Sequence, residues 1–153
     1  MTTELWKPNT VVAAVLERDG RFLLVEELAQ GRVVYNQPAG HLDPGETLLE
    51  AVKRETLEES AWHIEPESLI GVYLIEPADA EVTYLRFCFH GRLLRHDPAR
   101  TLDKEIIRTL WLTRDELAVE AVKHRSPLVL RCIDDYLAGQ RFPLHVINDL
   151  RFG

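Results

Sequence analysis

Three glutamates lie close together near the middle of the chain, in the segment RETLEE at residues 54–59. If this segment is helical, Glu55 shares one face with Glu58 and Glu59, because residues three and four positions apart are neighbours on a helix. Carboxylates at that spacing repel one another, and bound cations would offset the repulsion. Mg²⁺ takes oxygen ligands and commonly combines one or two carboxylates with substrate phosphates and waters. The cluster therefore favours a divalent-metal site that handles phosphate groups.

The spacing of apolar residues around this cluster predicts a helix from about Thr47 to Ser60. The segment contains no proline or glycine, and Thr47 followed three residues later by Glu50 is typical of a capping box. Arg54 could then pair with Glu50 or with Glu58, each four residues away. A solvated acidic face explains any one of these glutamates equally well, but it does not explain the whole spacing. A calcium loop is excluded because its ligand pattern is absent.

A wider pattern surrounds the cluster: Gly40, five residues, Glu46, seven residues, and then residues 54–59. This pattern resembles the Nudix box, G-x5-E-x7-R-E-U-x-E-E-x-G-U with U aliphatic, and every charged position of the box is present. The positions that depart from it are apolar or turn positions: Thr56, Ala61 and Trp62. The change at Ala61 affects the backbone just after the helix and leaves the acidic cluster intact.

The resemblance implies an α/β fold, the Nudix α/β/α sandwich, in which a mixed β-sheet lies between helices and the box forms a loop-helix-loop. It also implies a Mg²⁺-dependent hydrolase, with Mn²⁺ as an alternative ion. The implied metal ligands are the side chains and backbone groups of Ala39, Gly40, Glu55, Glu58 and Glu59. Glu46 and Arg54 would mainly brace the loop and the helix, and Gly40 would permit a close backbone approach and an unusual turn.

Hydrolysis also needs a carboxylate that orients or deprotonates the attacking water. Within the box we favour Glu55, with Glu59 beside it in the catalytic set. Glu105, which lies just before a predicted strand, is the competing candidate for this base. An ordinary charged loop residue explains Glu105 equally well. Asp103 is a weaker alternative.

Four residues outside the box are candidate substrate ligands. Asn36 and Gln37 could hydrogen-bond a base, or could equally cap the loop. Arg86 could pair with a phosphate, although an outward polar position on an alternating strand explains it at least as well. Arg125 could hold a phosphate as well, but an arginine at the start of a helix usually faces solvent.

Segments 35–42, 125–129 and 138–144 are similar to those of bacterial phosphatases within the Nudix family. This resemblance implies release of orthophosphate from nucleoside tri- and diphosphates, and action on thiamine pyrophosphate and hydroxymethylpyrimidine pyrophosphate. One alternative is a Nudix pyrophosphohydrolase of another substrate: a nucleoside triphosphate cleaved to monophosphate and pyrophosphate, a sugar nucleotide or a dinucleoside polyphosphate. A nucleotide-sensing Nudix module is a more distant alternative, because such modules usually lose box carboxylates.

Several further elements must position these residues. Asp19-Gly20 between apolar runs predicts a β-hairpin, and residues 69–75, 82–94 and 106–112 are predicted strands. A short helix should open at Thr113, and an amphipathic helix should cover residues 127–138. Strands joined mostly by hairpins and interleaved with helices indicate a mixed sheet with helices on its faces.

Composition limits the remaining possibilities. The 153 residues fit one domain, residues 1–153. The net charge of -7 argues against a nucleic-acid partner, but not against a small phosphorylated substrate carried by a metal. Cys88 and Cys132 lie in apolar runs and are predicted to be buried free thiols. With neither a membrane span nor a secretory signal, we expect a cytoplasmic protein that is a monomer or homodimer and has no membrane partner.

Overall fold

The computed structural model describes residues 4–78 and 81–151. Its strands are β1 (Asn9–Val15), β2 (Glu17–Arg18), β3 (Arg21–Ala29), β4 (Arg32–Asn36), β5 (Ala39–His41), β6 (Trp62–Ile75), β7 (Tyr84–His96) and β8 (Ile106–Leu112). Its helices are α1 (Leu48–Ser60), α2 (Arg114–Val119) and α3 (Leu128–Leu137), with short 3₁₀ turns at Ala121–Lys123 and Leu144–Val146. Five strands precede α1, three strands follow it, and α2 and α3 come last, so strands and helices are interleaved as the sequence predicts.

A mixed sheet forms the centre of the fold, with the strand order β5-β1-β7-β6. Strands β1 and β7 are parallel, with Val11 opposite Arg86, whereas the other pairs are antiparallel. Helix α1 packs on one face, where Val52 joins the core cluster of Val12. Helix α3 packs on the other face through Val129. The predicted α/β/α sandwich is confirmed.

A second sheet, which is antiparallel, is built around β3 and was not expected from the sequence. Strand β3 pairs with β2, β4 and β8, because its apolar run of residues 22–25 is buried and both of its edges are hydrogen-bonded. The predicted hairpin is confirmed. Asp19 and Gly20 both have positive φ, 52° and 76°, as a tight turn between twisted strands requires.

Strand β6 begins at Trp62, seven residues earlier than the predicted start at Leu69. Pro66 obscured the pattern, because proline is rare inside sheets. Here β6 is the last strand of its sheet, and its register with β7 shifts between Pro66 and Ser68. An edge position with an irregular register tolerates proline, so the strand continues through it.

The ends of α1 explain how the box enters and leaves the helix. Thr47 is the N-cap, and its Oγ1 accepts a hydrogen bond from the Glu50 amide at 3.0 Å. The predicted capping box is only half present, because the Glu50 carboxylate pairs with Arg151 at 3.1 Å. At the other end Ala61 adopts φ 63°, the left-handed conformation that usually calls for glycine. The backbone therefore follows the turn of the box even though its glycine is replaced.

Candidate active site

A cavity of about 670 Å³ opens beside β5 and α1 and extends to the loop before α3. Such a volume suits a small-molecule ligand. Charged side chains of both signs line it: Glu27, Glu55, Glu59, Arg86, Glu105 and Arg125. Most of the residues that the sequence singles out therefore meet at one place.

The carboxylates that converge most closely come from two elements, α1 and the loop before β8. One oxygen each of Glu55, Glu58 and Asp103 lies within 4.8 Å of the others. The loop is fixed by its backbone, since the Asp103 amide donates to the Glu58 carbonyl at 3.0 Å. Asp103, the weaker of the two loop candidates in the sequence, is the one that reaches the cluster.

Glu105 occupies a different position. It is exposed and lines the cavity, but it is not part of the convergent group of Glu55, Glu58 and Asp103. Its carbonyl accepts a hydrogen bond from Leu28 at 2.9 Å, which ties this loop to β3. The geometry thus favours Asp103 over Glu105 as the acidic residue that the loop supplies to the cluster.

Glu59 faces the cavity from the inner side of α1. Only 8% of it is exposed, and its Oε1 accepts a hydrogen bond from the Ala39 amide at 3.0 Å. Burial raises its pKa to about 9, and the charges of Glu27 and Glu55 add to the effect. Burial likewise raises the pKa of Glu55 to about 7. The protein by itself therefore disfavours full ionisation of this cluster, and a bound cation would favour it.

Gly40 lies directly against the Glu55 carboxyl group. A Cβ at position 40 would fall 2.1 Å from Cδ of Glu55 and within 2.3 Å of both carboxyl oxygens. Its φ is not positive, so the predicted unusual turn at this glycine is wrong. The requirement for glycine is the close approach alone, which the sequence also predicts.

Arg54 joins the loop of the box to the helix. Its guanidinium donates to Glu46 at 2.5 and 3.0 Å and to the His41 carbonyl at 3.0 Å. It also donates to Glu55 at 2.8 Å and to Glu58 at 3.2 Å. The hydrogen bond from Arg54 lowers the pKa of Glu46. Arg54 therefore offsets part of the repulsion among the carboxylates while it holds them in place.

The inner end of the cavity contains a buried guanidinium, that of Arg86. Its Nη2 donates to Oδ1 of Asn36 at 2.9 Å, and its Nη1 donates to Oε1 of Gln37 at 3.0 Å. Gln37 is only 1% exposed, and its own amide donates to the Val129 carbonyl at 2.6 Å. Gln37 does not line the cavity, so its position suits holding Arg86 rather than contacting a substrate.

The thiol of Cys132 also lies near this guanidinium, with its Sγ 3.8 Å from Nη1 of Arg86. Both cysteines are free and buried, as the sequence predicts. A hydrogen bond with Cys88 lowers the pKa of Cys132, and the charge of Arg86 acts in the same direction. The cysteines therefore form part of the packing behind Arg86.

The sequence pattern did not single out Glu27, which lies in the cavity with only 7% exposure. Its Oε1 accepts hydrogen bonds from Arg125 at 2.8 Å and from Asn36 at 3.5 Å. Glu27 follows Val25 at the two-residue alternation of β3, because the extra residue of the register shift between β3 and β8, Ile107, lies on β8. The sequence feature that could have pointed to Glu27 is its position two residues after the four buried apolar residues 22–25 of the same strand.

The donor set of the acidic cluster suits a hard divalent cation. It offers carboxylate oxygens from two elements, with the backbone of Ala39 and Gly40 lining the same cavity. The space above Gly40 that a Cβ would fill is taken by a carboxylate. Oxygen ligands of this kind fit Mg²⁺ or Mn²⁺ better than softer metals.

Comparisons with known proteins agree with this geometry. The NUDIX domain family model matches residues 6–132. Phosphatase NudJ of Escherichia coli strain K12 is 38% identical over 148 residues, which cover 97% of this chain and 95% of that protein. The structure of a NUDIX hydrolase from Nitrosomonas europaea is 47% identical, with a TM-score of 0.92 over 94% of this chain and 98% of its own.

A more distant structure, that of a UDP-X diphosphatase, shares the fold at 21% identity, with a TM-score of 0.74 over 92% of this chain and 68% of its own. The box, the fold and these relatives lead to one assignment. The chain belongs to the Nudix family and is a hydrolase of phosphorus-containing acid anhydrides.

Proposed function

We propose that this protein is a Mg²⁺-dependent phosphohydrolase that releases orthophosphate from nucleoside tri- and diphosphates. We extend the proposal to thiamine pyrophosphate and hydroxymethylpyrimidine pyrophosphate, which the resemblance of the flanking segments implies. The relative from Escherichia coli, named a phosphatase, supports this choice over a pyrophosphohydrolase.

The observation that carries the proposal is the convergence of Glu55, Glu58 and Asp103 at the edge of a cavity with a cationic inner end. Glu58 and Asp103 would hold the metal, with Glu59 and the backbone of Ala39 and Gly40 beside them, and Glu55 would lie next to it. When bound, the metal would neutralise charge on the phosphate oxygens. Such an arrangement suits phosphoryl transfer, in which catalysis is mostly positioning and electrostatic stabilisation.

In this proposal Glu55 takes the proton of the attacking water. It is the carboxylate that is held from two sides, by Arg54 and by the backbone at Gly40, and its pKa of about 7, raised by burial, suits a general base. Asp103 takes the place that the sequence assigns to Glu105. Arg54 and Glu46 keep the loop and the helix in register.

Product analysis tests the proposal. Purified protein with Mg²⁺ receives GTP, GDP and thiamine pyrophosphate separately, and orthophosphate and pyrophosphate are measured. Orthophosphate from all three substrates is the expected result. Pyrophosphate from GTP, with no action on GDP, would replace the proposal with the pyrophosphohydrolase alternative.

Variants test the assigned residues in the same assay. We expect Glu55→Gln and Asp103→Asn to lose about a hundredfold or more in kcat, as general-base and electrostatic groups typically contribute. Glu67→Gln is the matched control, since Glu67 is an exposed glutamate on β6 that pairs with Arg92. Full activity of Asp103→Asn together with loss of activity in Glu105→Gln would reverse the choice between the two loop residues.

The proposal includes a single domain over residues 1–153, a cytoplasmic location, and a monomer or homodimer that needs no nucleic acid or membrane. Within residues 4–78 and 81–151, no helix combines the length and the apolar character needed to cross a bilayer. Size-exclusion chromatography with light scattering would measure the oligomeric state.

A further inference from the structure

Arg86 is a buried cation that no carboxylate neutralises among the residues the structure describes. It is only 5% exposed, and its closest partners are the neutral amide oxygens of Asn36 and Gln37. The Cys132 thiol, at 3.8 Å, is a softer and more distant partner. A buried charge without a counter-charge is costly. Since Arg86 also lines the cavity, its position suits an anion that enters from there.

A second cationic feature lies at the same end of the cavity. Helix α3 begins there, and both Ser126 and Leu128 line the wall. The start of a helix favours anions through its dipole, although the Leu128 and Val129 amides of α3 already donate to Ser126. Arg125 precedes the helix and pairs with Glu27 at 2.8 Å. Glu27 therefore pairs with Arg125, and Arg86 is the guanidinium at this end that has no carboxylate partner in the described part of the chain.

The rim of the cavity is more exposed than the surroundings of Arg86. It includes Gln30 in the turn between β3 and β4, Arg32 at the start of β4, and the half-buried Pro77. Tyr84 lines the wall and lies 6.5 Å from the ring of His41. An organic base is usually held by apolar and aromatic surfaces, whereas a phosphate is held by guanidinium groups. The charged inner end thus suits a phosphate better than a base.

Building on the proposed function, we propose that the substrate enters with its terminal phosphate innermost. Arg86 binds that phosphate, the dipole of α3 adds to the attraction, and the organic group of the substrate remains at the rim. The enzyme then recognises a free phosphate end rather than one particular base. Nucleotides and other organic diphosphates would be accepted alike, because the group that differs among them lies outside the charged end.

The chemistry of this orientation is balanced. The oxygen of water forms a bond to the terminal phosphorus, and the bond from that phosphorus to the bridging oxygen breaks. The electron pair of the broken bond leaves with the shortened organic phosphate, and the proton of water passes to a carboxylate of α1. Orthophosphate remains at Arg86 until it is released.

A substrate series tests the orientation. GDP, thiamine pyrophosphate and inorganic tripolyphosphate have a free terminal phosphate, whereas in UDP-glucose that phosphate carries a sugar. We expect kcat/KM to agree within about tenfold across the first three and to fall by about a hundredfold or more for UDP-glucose, because a buried polar site rejects a ligand that leaves it unpaired. Strong preference among the organic groups, together with good turnover of UDP-glucose, would overturn the proposal.

A binding measurement tests Arg86 without relying on turnover. Inorganic phosphate is titrated into metal-free protein and followed by ³¹P NMR. Arg86→Gln should weaken phosphate binding at least about tenfold, as loss of a charge-assisted pair does. Arg86→Lys should bind at an intermediate level. Arg92→Gln is the control, because Arg92 is an exposed arginine on the same strand, β7.

Thermal unfolding shows whether each variant is folded. If Arg86→Gln does not fold, the comparison of phosphate binding is made with Arg86→Lys instead. Phosphate binding that is equal in wild type and in a folded Arg86 variant would refute the assigned orientation. If the wild type binds phosphate through Arg86 but releases no orthophosphate with Mg²⁺, the proposed function fails and the anion site stands. If it releases orthophosphate but Arg86 does not affect phosphate binding, only the orientation fails.

Discussion

The contact between Gly40 and Glu55 can be tested by adding one methyl group at position 40. The test asks whether the Glu55 carboxyl group must occupy this place during turnover. In Gly40→Ala, the new Cβ would lie 2.1–2.3 Å from the carboxyl atoms of Glu55. The carboxyl group must retreat by about 1.3 Å to restore an ordinary contact distance of 3.4 Å for its nearest atom, Cδ at 2.1 Å. A misplacement of about 1 Å can cost about a hundredfold in rate, so we expect kcat to fall by roughly that factor, ~2.7 kcal/mol in the barrier.

Stability should change much less than activity in this variant. The atoms that must move are the far end of a flexible side chain, and alanine in a strand is favoured over glycine by about 0.5–1 kcal/mol. Gly139→Ala is the opposite case. Gly139 has φ 86°, and no atom lies within 4 Å of the place that a Cβ would take there. Alanine at this position should therefore cost about 1–2 kcal/mol of unfolding free energy and leave kcat unchanged.

Steady-state kinetics with GDP and urea unfolding measure both effects. Wild-type kcat in Gly40→Ala would refute the idea that the Glu55 carboxyl group occupies this space during turnover. A double-mutant cycle adds a second check. In a Glu55→Ala background the steric conflict is gone, so the two substitutions should be non-additive in unfolding free energy.

Four further experiments test the remaining features. Thr56→Val should raise the unfolding free energy by about 1–2 kcal/mol in urea, because Thr56 Oγ1 is buried and has no partner in the described part of the chain. Ala61→Gly should add up to about 1 kcal/mol, since Ala61 has φ 63°. Mg²⁺ should raise the Tm of the wild type, and Asp103→Asn should reduce this shift more than Glu105→Gln does. In EDTA, stability should fall as pH rises from 4.5 towards 9, because the buried Glu59 holds its proton to a pKa of about 9; Glu59→Gln should flatten that decline in thermal scans.

The sign of this last effect follows from proton linkage. Burial raises the pKa of Glu59 in the folded protein above its value of 4.5 in an unfolded chain. Between these pH values the folded state binds more protons than the unfolded state, so unfolding becomes easier as pH rises. A pH-independent stability of metal-free wild type over this range would contradict the burial argument.

Helix α1 could be predicted from the sequence because all of its signals are local. The apolar spacing, the absence of glycine and proline, and the N-cap at Thr47 lie within one segment. The convergence of Glu55 and Glu58 follows from helical geometry, and the structure confirms that their carboxylates are neighbours. The confirmed α/β/α fold rests on the same kind of pattern, strengthened by the family resemblance.

The partners supplied by other elements could not be predicted in the same way. The choice between Asp103 and Glu105 depends on a turn in which the Ile106 amide donates to the Asp103 carbonyl at 2.9 Å. That turn directs one acidic residue towards α1 and leaves the other at the cavity wall. The place of Glu27 in the site depends on its contact with Arg125, which lies 98 positions further along the chain. Neither feature leaves a periodic signal in the sequence.

The charge of the whole molecule and the charge of its cavity act in opposite directions. A chain with net charge -7 repels free polyphosphates at long range. The acidic cluster of Glu55, Glu58 and Asp103 adds to that repulsion, but the same cluster attracts divalent cations. A phosphate substrate that carries a metal ion is therefore favoured over one without it. Inside the cavity Arg86 provides the attraction that the surface lacks, and its burial away from solvent makes that attraction stronger than an exposed charge would provide. Selection for the metal complex and retention of the phosphate thus depend on different residues, which is why substitutions in the acidic cluster and at Arg86 should be separable in kinetic measurements.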